Sequence, residues 1–176
     1  MREYKTQTKE IIITTTFSTP LSEMFAAASK KALVLLDFFT PYDIEANIDK
    51  LKKTLNADVI PGNNEIFDSL KIQLDEYFDK KRTTFEIPLQ LVGTAFQIKV
   101  WKELLNIPYG KTISYKEQAI KIENEKAFRA VANANGQNMI SIIVPCHRVI
   151  ANNGNLGGYT GGLEKKEFLL KLENDK

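Results

Sequence analysis

The sequence predicts an α+β protein in two parts: a mixed sheet-and-helix half over residues 1–90 and a mainly helical half over 91–176. Three observations carry this expectation. The first forty residues hold three strand-like apolar runs parted by turn residues. Two helix-capping boxes, "TAFQ" at 94–97 and "SYKE" at 114–117, open helices in the second half. A chain of 176 residues, 43% hydrophobic and 26% charged, can also bury one core or two small ones.

The elements follow in order. "EIIITTTF" is β-branched, "PLSEMFAAAS" follows a Thr-Pro break, and "KKALVLLDFF" is a third apolar run, so all three read as strands. After Pro41, "YDIEANIDKLKKTL" sets Ile44, Ile48, Leu51 and Leu55 on a helical stripe. "DVI" is a short strand before the Pro61-Gly62 turn. In "NEIFDSLKIQLDEYFDKK" Ile66, Leu70, Leu74, Tyr77 and Phe78 share one helix face. "TFEIPL" reads as a further strand, followed by linker. The helix from Thr94 runs through Asn106 with Phe96, Val100, Trp101, Leu104 and Leu105 inward, and "IPYG" ends it. A short helix follows Ser114 to about Ile122, and a third runs from Lys126 to Asn135, stopped by Gly136. This helix pair has the pattern of a helix-turn-helix. "LEKKEFLLKLE" forms a last helix ending in Glu173.

Charge is uneven. Residues 1–98 carry 12 Lys/Arg against 14 Asp/Glu and residues 99–176 carry 12 against 8, so if a polyanion binds, the second half is the better candidate. On the third helix Ala127, Val131 and Ala134, with Phe128 beside them, suit a core. Arg129, Ala132, Asn133 and Gly136 form the other face, small residues and one cation that let a helix lie close to a nucleic-acid groove; an exposed helix with a solvated Arg reads equally well. One cysteine excludes an intrachain disulfide and a cysteine-based zinc cage and points to a reducing, intracellular setting. "MREYKTQTKE" lacks the apolar core of a signal peptide, and no apolar run reaches membrane-spanning length. A cytoplasmic protein without membrane contact is expected, nuclear or nucleoid-associated according to the organism. No nucleotide-cofactor fingerprint is present, and no cofactor or metal is expected.

"IIVPCHRVI" places the sole cysteine, Cys146, beside the sole histidine, His147. Cys146 reads either as a small hydrophobe ending a buried run or as a nucleophile. The second role needs a lowered thiol pKa, for which His147 and a carboxylate are suited. Neighbours in an extended segment face opposite ways, so either the backbone turns at Pro145 or a water lies between thiol and imidazole. Five of the nine glycines fall within 154–162, which suggests a mobile loop bordering a site.

"GTAFQIKVWKELLNIPYGKTISY", "RAVANANGQN", "IIVPCHRVI" and "GNLGGYTGGLEKKEFLL" together resemble the O6-alkylguanine-DNA alkyltransferases, densely from Gly93 to Glu173 and more loosely before. The resemblance implies a ribonuclease-H-like N-terminal domain and a DNA-binding C-terminal domain. It implies a monomer that repairs double-stranded DNA by moving the alkyl group of O6-alkylguanine, with O4-alkylthymine as a second substrate, onto Cys146 once per molecule. By the same resemblance His147 deprotonates Cys146 through a water, Glu173 orients His147, and Asn138 braces the site. Tyr115 sits by the turned-out base and its phosphate, and Arg129 fills the vacated space. Ala130, Asn133 and Gly136 complete the DNA-binding helix, which enters the minor groove. Val149, Gly157, Tyr159 and Thr160 form the base pocket. The chain departs from the family in Met139, where a proline usually follows the asparagine, and in "PLSEMF", where Pro-Leu-Gly is common. With one cysteine, the N-terminal zinc site of some relatives is absent. Two alternatives stand beside this reading: a non-catalytic lesion-binding protein, which would lack the acceptor thiol, and a thiol hydrolase or redox sensor.

Overall fold

The computed structural model describes residues 9–175; most of the polar N-terminal stretch lies outside them. Strands β1 (Glu10–Ser18), β2 (Glu23–Ala28) and β3 (Leu33–Phe38) form an antiparallel meander. Helix α1 (Pro41–Leu55) then carries the chain back so that β4 (Ala57–Pro61) pairs parallel with β1, giving the order β3-β2-β1-β4. Such a parallel pairing requires a long crossover, which α1 supplies. Pro41 starts the helix and Asn56, at φ 48°, closes it through its N–H to the Lys52 carbonyl.

The continuous apolar run of β2 follows from burial on both faces. Phe25 and Ala27 join Ile44 and Leu51 of α1 in one cluster, while Met24, Ala26 and Ala28 face the other way. There they meet Leu70, Leu74 and Tyr77 of α2 (Glu65–Phe78), together with the helices of the second half.

The segment "TFEIPL" is not a strand. It lies along β3 with one bridge, Leu33 to Leu89, and two bonds, from Leu33 N–H to the Pro88 carbonyl and from Gln90 N–H to the Leu33 carbonyl. Pro88 has no N–H to extend a ladder. The Gln73 side chain of α2 occupies the backbone of Glu86 instead, accepting its N–H at 2.7 Å and donating to its carbonyl at 3.4 Å.

Both capping boxes are present, on α3 (Ala95–Leu104) and α4 (Tyr115–Lys121). Helix α3 stops earlier than expected, and Leu105 is exposed. Helix α5 (Phe128–Gly136) follows a 3-10 turn over Glu125–Ala127. Phe128 is exposed rather than inward. Gly136 is the last helical residue, not a left-handed stop, and Gln137 caps the helix. A buried reciprocal amide pair, Gln118 with Asn135, locks α4 to α5, and Trp101 Nε1 donates to the Ala134 carbonyl at 2.8 Å. These contacts set α4 and α5 as a helix-turn-helix on α3.

Two links, one from each half, hold the segments around Cys146. Strand β5 (Ile113–Ser114) pairs with β6 (Val149–Ile150), tying the start of α4 to the residues after Cys146. Strand β3 holds the 139–141 segment: Leu36 N–H donates to the Met139 carbonyl at 2.9 Å and Ser141 N–H to the Leu36 carbonyl at 2.7 Å. Helix α6 (Leu163–Asn174) closes the chain. Among the described residues no helix is long and apolar enough to cross a membrane.

Candidate active site

Of the two ways in which Cys146 and His147 were expected to cooperate, a backbone turn is present. Pro145 caps a 3-10 turn over Cys146–Arg148, so neighbouring side chains diverge without a strand's alternation. Cys146 contributes to a cavity of about 360 Å³ that is also lined by Tyr115, Ala132, Asn135, Gly136, Gly158, Tyr159 and Thr160. His147 points the other way, into full burial, where its Nε2 lies 2.7 Å from Glu173 Oε1.

Glu173 is surrounded by donors. Arg148 forks onto it, Nε to Oε2 and Nη2 to Oε1, both at 2.9 Å. Gly110 N–H reaches Oε2 at 3.2 Å and the Tyr77 hydroxyl reaches Oε1 at 2.7 Å. Burial alone would raise this carboxyl, but the hydrogen bonds and charges of His147 and Arg148 outweigh it and hold Glu173 down at about 2. It is therefore an anion that accepts, and Nε2 of His147 must carry the proton between them. Nδ1, buried with no partner among the described residues, is left as the basic nitrogen. Burial lowers the proton affinity of His147, so the resting imidazole is neutral.

The thiol differs from expectation. Burial pushes Cys146 up to about 11, against the opposing pull of the Asn138 amide and the Lys166 charge. Asn138 Nδ2 lies 3.3 Å from Sγ and 2.8 Å from the Val144 carbonyl, and Oδ1 accepts Ile140 N–H at 3.0 Å. The rigidity a proline would give after Asn138 comes instead from the two β3 bonds and from burial of the Met139 side chain.

Tyr115, first residue of α4, stands at the cavity with its hydroxyl 3.5 Å from the Gly158 carbonyl. Burial and the Cys146 charge raise its phenol, which stays protonated. Gly157, at φ 71°, passes so close that a Cβ would come within 2.9 Å of the Tyr115 ring. Val149 is fully buried and does not line the cavity; its carbonyl accepts from Lys166 Nζ at 2.6 Å. Thr160 donates to the Gly136 carbonyl, tying the glycine-rich loop to α5. Arg129, Ala130, Asn133 and Gly136 are exposed on α5, beside the cavity residues Ala132 and Asn135.

Sequence reasoning missed three residues. Lys166 is completely buried, its amine lowered to about 8 by desolvation. Its position three and six residues before the buried Leu169 and Leu172, on the apolar face of α6, was the available signal. Arg148 is a cation inside an apolar run. Asp37 of β3 is buried, accepts from the Ser141 hydroxyl at 3.0 Å, and is raised by burial to about 6. Among the described residues no group of three His, Cys, Asp or Glu side chains could hold a metal ion.

Residues 12–91 match the family model described as 6-O-methylguanine DNA methyltransferase, ribonuclease-like domain, and residues 95–175 match its DNA binding domain. The methylated-DNA–protein-cysteine methyltransferase of Methanosarcina barkeri is 44% identical over 156 residues, covering 89% of this chain and 93% of that protein. The inducible methylated-DNA–protein-cysteine methyltransferase of Bacillus subtilis is 40% identical over 130 residues, covering 74% and 73%. The crystal structure of Mycobacterium tuberculosis OGT in complex with DNA superposes with a TM-score of 0.78 at 39% identity, covering 93% of this chain and 92% of that one.

Proposed function

The chain belongs to the 6-O-methylguanine DNA methyltransferase family, and from that premise we infer how its residues divide the transfer of an alkyl group from O6-alkylguanine to Cys146. The transfer is direct. A bond forms from Sγ to the alkyl carbon as the bond from that carbon to O6 breaks, and the sulfur ends as a thioether. Water finds no electrophilic carbonyl in a thioether, so the thiol is not regenerated and each molecule acts once. The protein is a DNA-binding, single-turnover methyltransferase of DNA repair.

One observation carries the division of roles: the sole thiol opens onto the cavity while a neutral imidazole, backed by a buried anion, stands behind it. His147 takes the thiol proton on Nδ1, through a water, and Glu173 stabilises the imidazolium that forms. Asn138 donates to the sulfur and favours the thiolate. Tyr115, protonated at rest, gives its proton to the departing base and regains one from solvent, so that the base leaves as neutral guanine.

The base must leave the duplex to reach this cavity, at a cost of a few kcal/mol of unstacking. Arg129, exposed on α5, fills the gap, and the small residues Ala130, Asn133 and Gly136 let the helix approach a minor groove. Tyr159, Thr160 and Gly158 shape the wall that receives the base; Gly157, expected there, packs against Tyr115 beside it, and buried Val149 lies outside the lining. O4-alkylthymine fits the same chemistry as a second substrate.

Incubation with a duplex carrying O6-methylguanine should add about 14 Da to the intact mass, once, with a peptide map placing it on Cys146. Binding without a mass change would leave only lesion recognition and overturn the assignment. Sustained multiple turnovers would do so as well.

A further inference from the structure

The residues lining the cavity all come from the C-terminal half. One side chain of the N-terminal half nevertheless enters the hydrogen-bond chain behind the thiol. Tyr77 of α2 is fully buried, and its hydroxyl donates to Glu173 Oε1 at 2.7 Å, the oxygen that also faces His147. With Arg148 Nη2, three donors converge on Oε1, against two on Oε2. The phenol ring is held between Phe85, at 5.4 Å between centroids, and Tyr109, at 6.0 Å, so the hydroxyl has little freedom to turn away.

We propose that Tyr77 is a positioning residue for proton transfer at His147, setting how strongly Glu173 attracts the imidazolium, so that the ribonuclease-like half takes part in the chemistry. The proposal rests on the reading of His147 as the base. A hydrogen bond from a neutral donor draws charge from Oε1 and weakens its hold on the His147 proton. Burial and the adjacent carboxylate raise the Tyr77 phenol far above its ordinary value, so it remains a donor at every working pH. The other titratable or charged groups around the His147–Glu173 pair are Cys146 and Arg148 on the same turn, Lys166 on α6, Tyr109 before β5, and Tyr159 of the glycine-rich loop. Arg148 and Lys166 both disfavour a proton on His147. Without Tyr77 the charge on Oε1 is shared between His147 and Arg148 alone. The imidazole then binds a proton at higher pH and, once protonated, cannot accept one from the thiol.

The test is the single-turnover rate on an O6-methylguanine duplex from pH 5 to 9, for the full chain and two variants. In Tyr77→Phe the acid limb should move up by about half a pH unit, a rate roughly twofold lower at the parent's midpoint and roughly threefold lower well below it, with the plateau within about twofold. Tyr109→Phe is the control: its hydroxyl belongs to the same cluster but donates to the Leu172 carbonyl, not to Glu173. It should lower the melting temperature to a similar degree and leave the limb in place. An unmoved limb in Tyr77→Phe, or an equal shift in both variants, overturns the proposal. So does a folded Tyr77→Phe chain that is inert at every pH. If the parent chain itself gives no adduct, the function above has failed instead.

Discussion

Burial pushes the Cys146 thiol up to about 11, so the sulfur is protonated at rest, and in the proposed mechanism the thiolate forms as its proton passes to His147. The same desolvation acts on Asp37, and there it bears on stability. Burial raises the Asp37 carboxyl from 3.8 to about 6, with the Phe38 N–H and Ser141 hydroxyl bonds opposing. A pKa raised on folding means that the native state holds the proton more tightly. The charged form therefore costs stability above about pH 6, and the penalty fades as pH falls toward 4. Glu173 has the opposite sign: depressed from 4.5 to about 2, it stabilises above pH 4.5, and that contribution is lost as pH falls toward 2. Asp37→Asn keeps an acceptor oxygen for both bonds and removes the charge. It should stabilise the chain at pH 7.5 by up to about 3 kcal/mol and give no benefit below about pH 4. Thermal unfolding of both proteins across that range checks this, and a difference that does not vary with pH would refute it.

In the proposed function helix α5 joins two tasks, since Arg129 is exposed on its outer face, assigned there to DNA, while Ala132 and Asn135 line the cavity. Arg129→Ala should slow repair in duplex DNA, where a base must be extruded, and matter much less for free O6-alkylguanine. Tyr115→Phe removes a donor at the reacting base, so part of its loss, typically 10²–10⁴-fold or roughly so for such a group, should persist with the free base. The measurement is the ratio of the two single-turnover rates at saturating duplex, which separates chemistry from the salt-dependent affinity that Arg129 also supplies. Equal falls in that ratio would mean that Tyr115 serves as a phosphate contact. The helices themselves were legible because capping is local: Thr94 with Gln97 and Ser114 with Glu117 are three residues apart. The Cys146–His147 pair and its motif were legible for the same reason. Tyr77 meeting Glu173 across 96 positions leaves no local pattern, nor does Asp37 meeting Ser141 across 104. "TFEIPL" misled because its composition suits a strand, whereas its backbone partners are set by Gln73 on a distant helix.

The whole molecule depends on the 138–146 segment for more than catalysis. Asn138 ties that segment together through Ile140 N–H and the Val144 carbonyl, and the segment in turn binds β3 at Leu36. Asn138→Ala leaves the buried Ile140 N–H unpartnered and takes one of two donors from the Val144 carbonyl, a loss of roughly 1–3 kcal/mol. In a chain of this size that lowers the melting temperature by about 2–12 °C. Scattering on heating should begin earlier by a similar interval, and unchanged onset would argue against the link. The reason lies at the two ends of the sheet. Strand β4 is guarded at its outer side by exposed Asp58 and by Pro61, which offers no N–H. Strand β3 has no such guard of its own: every residue in it is buried, and Leu33, Val34, Leu35 and Leu36 form an unbroken aliphatic row. Among the described residues its outer backbone is bonded only to 88–90 and 139–141. Loosening the acceptor loop thus exposes a strand ready to pair with another chain. A mutation that disturbs this loop therefore turns the aliphatic row of β3 into an edge open to a second copy.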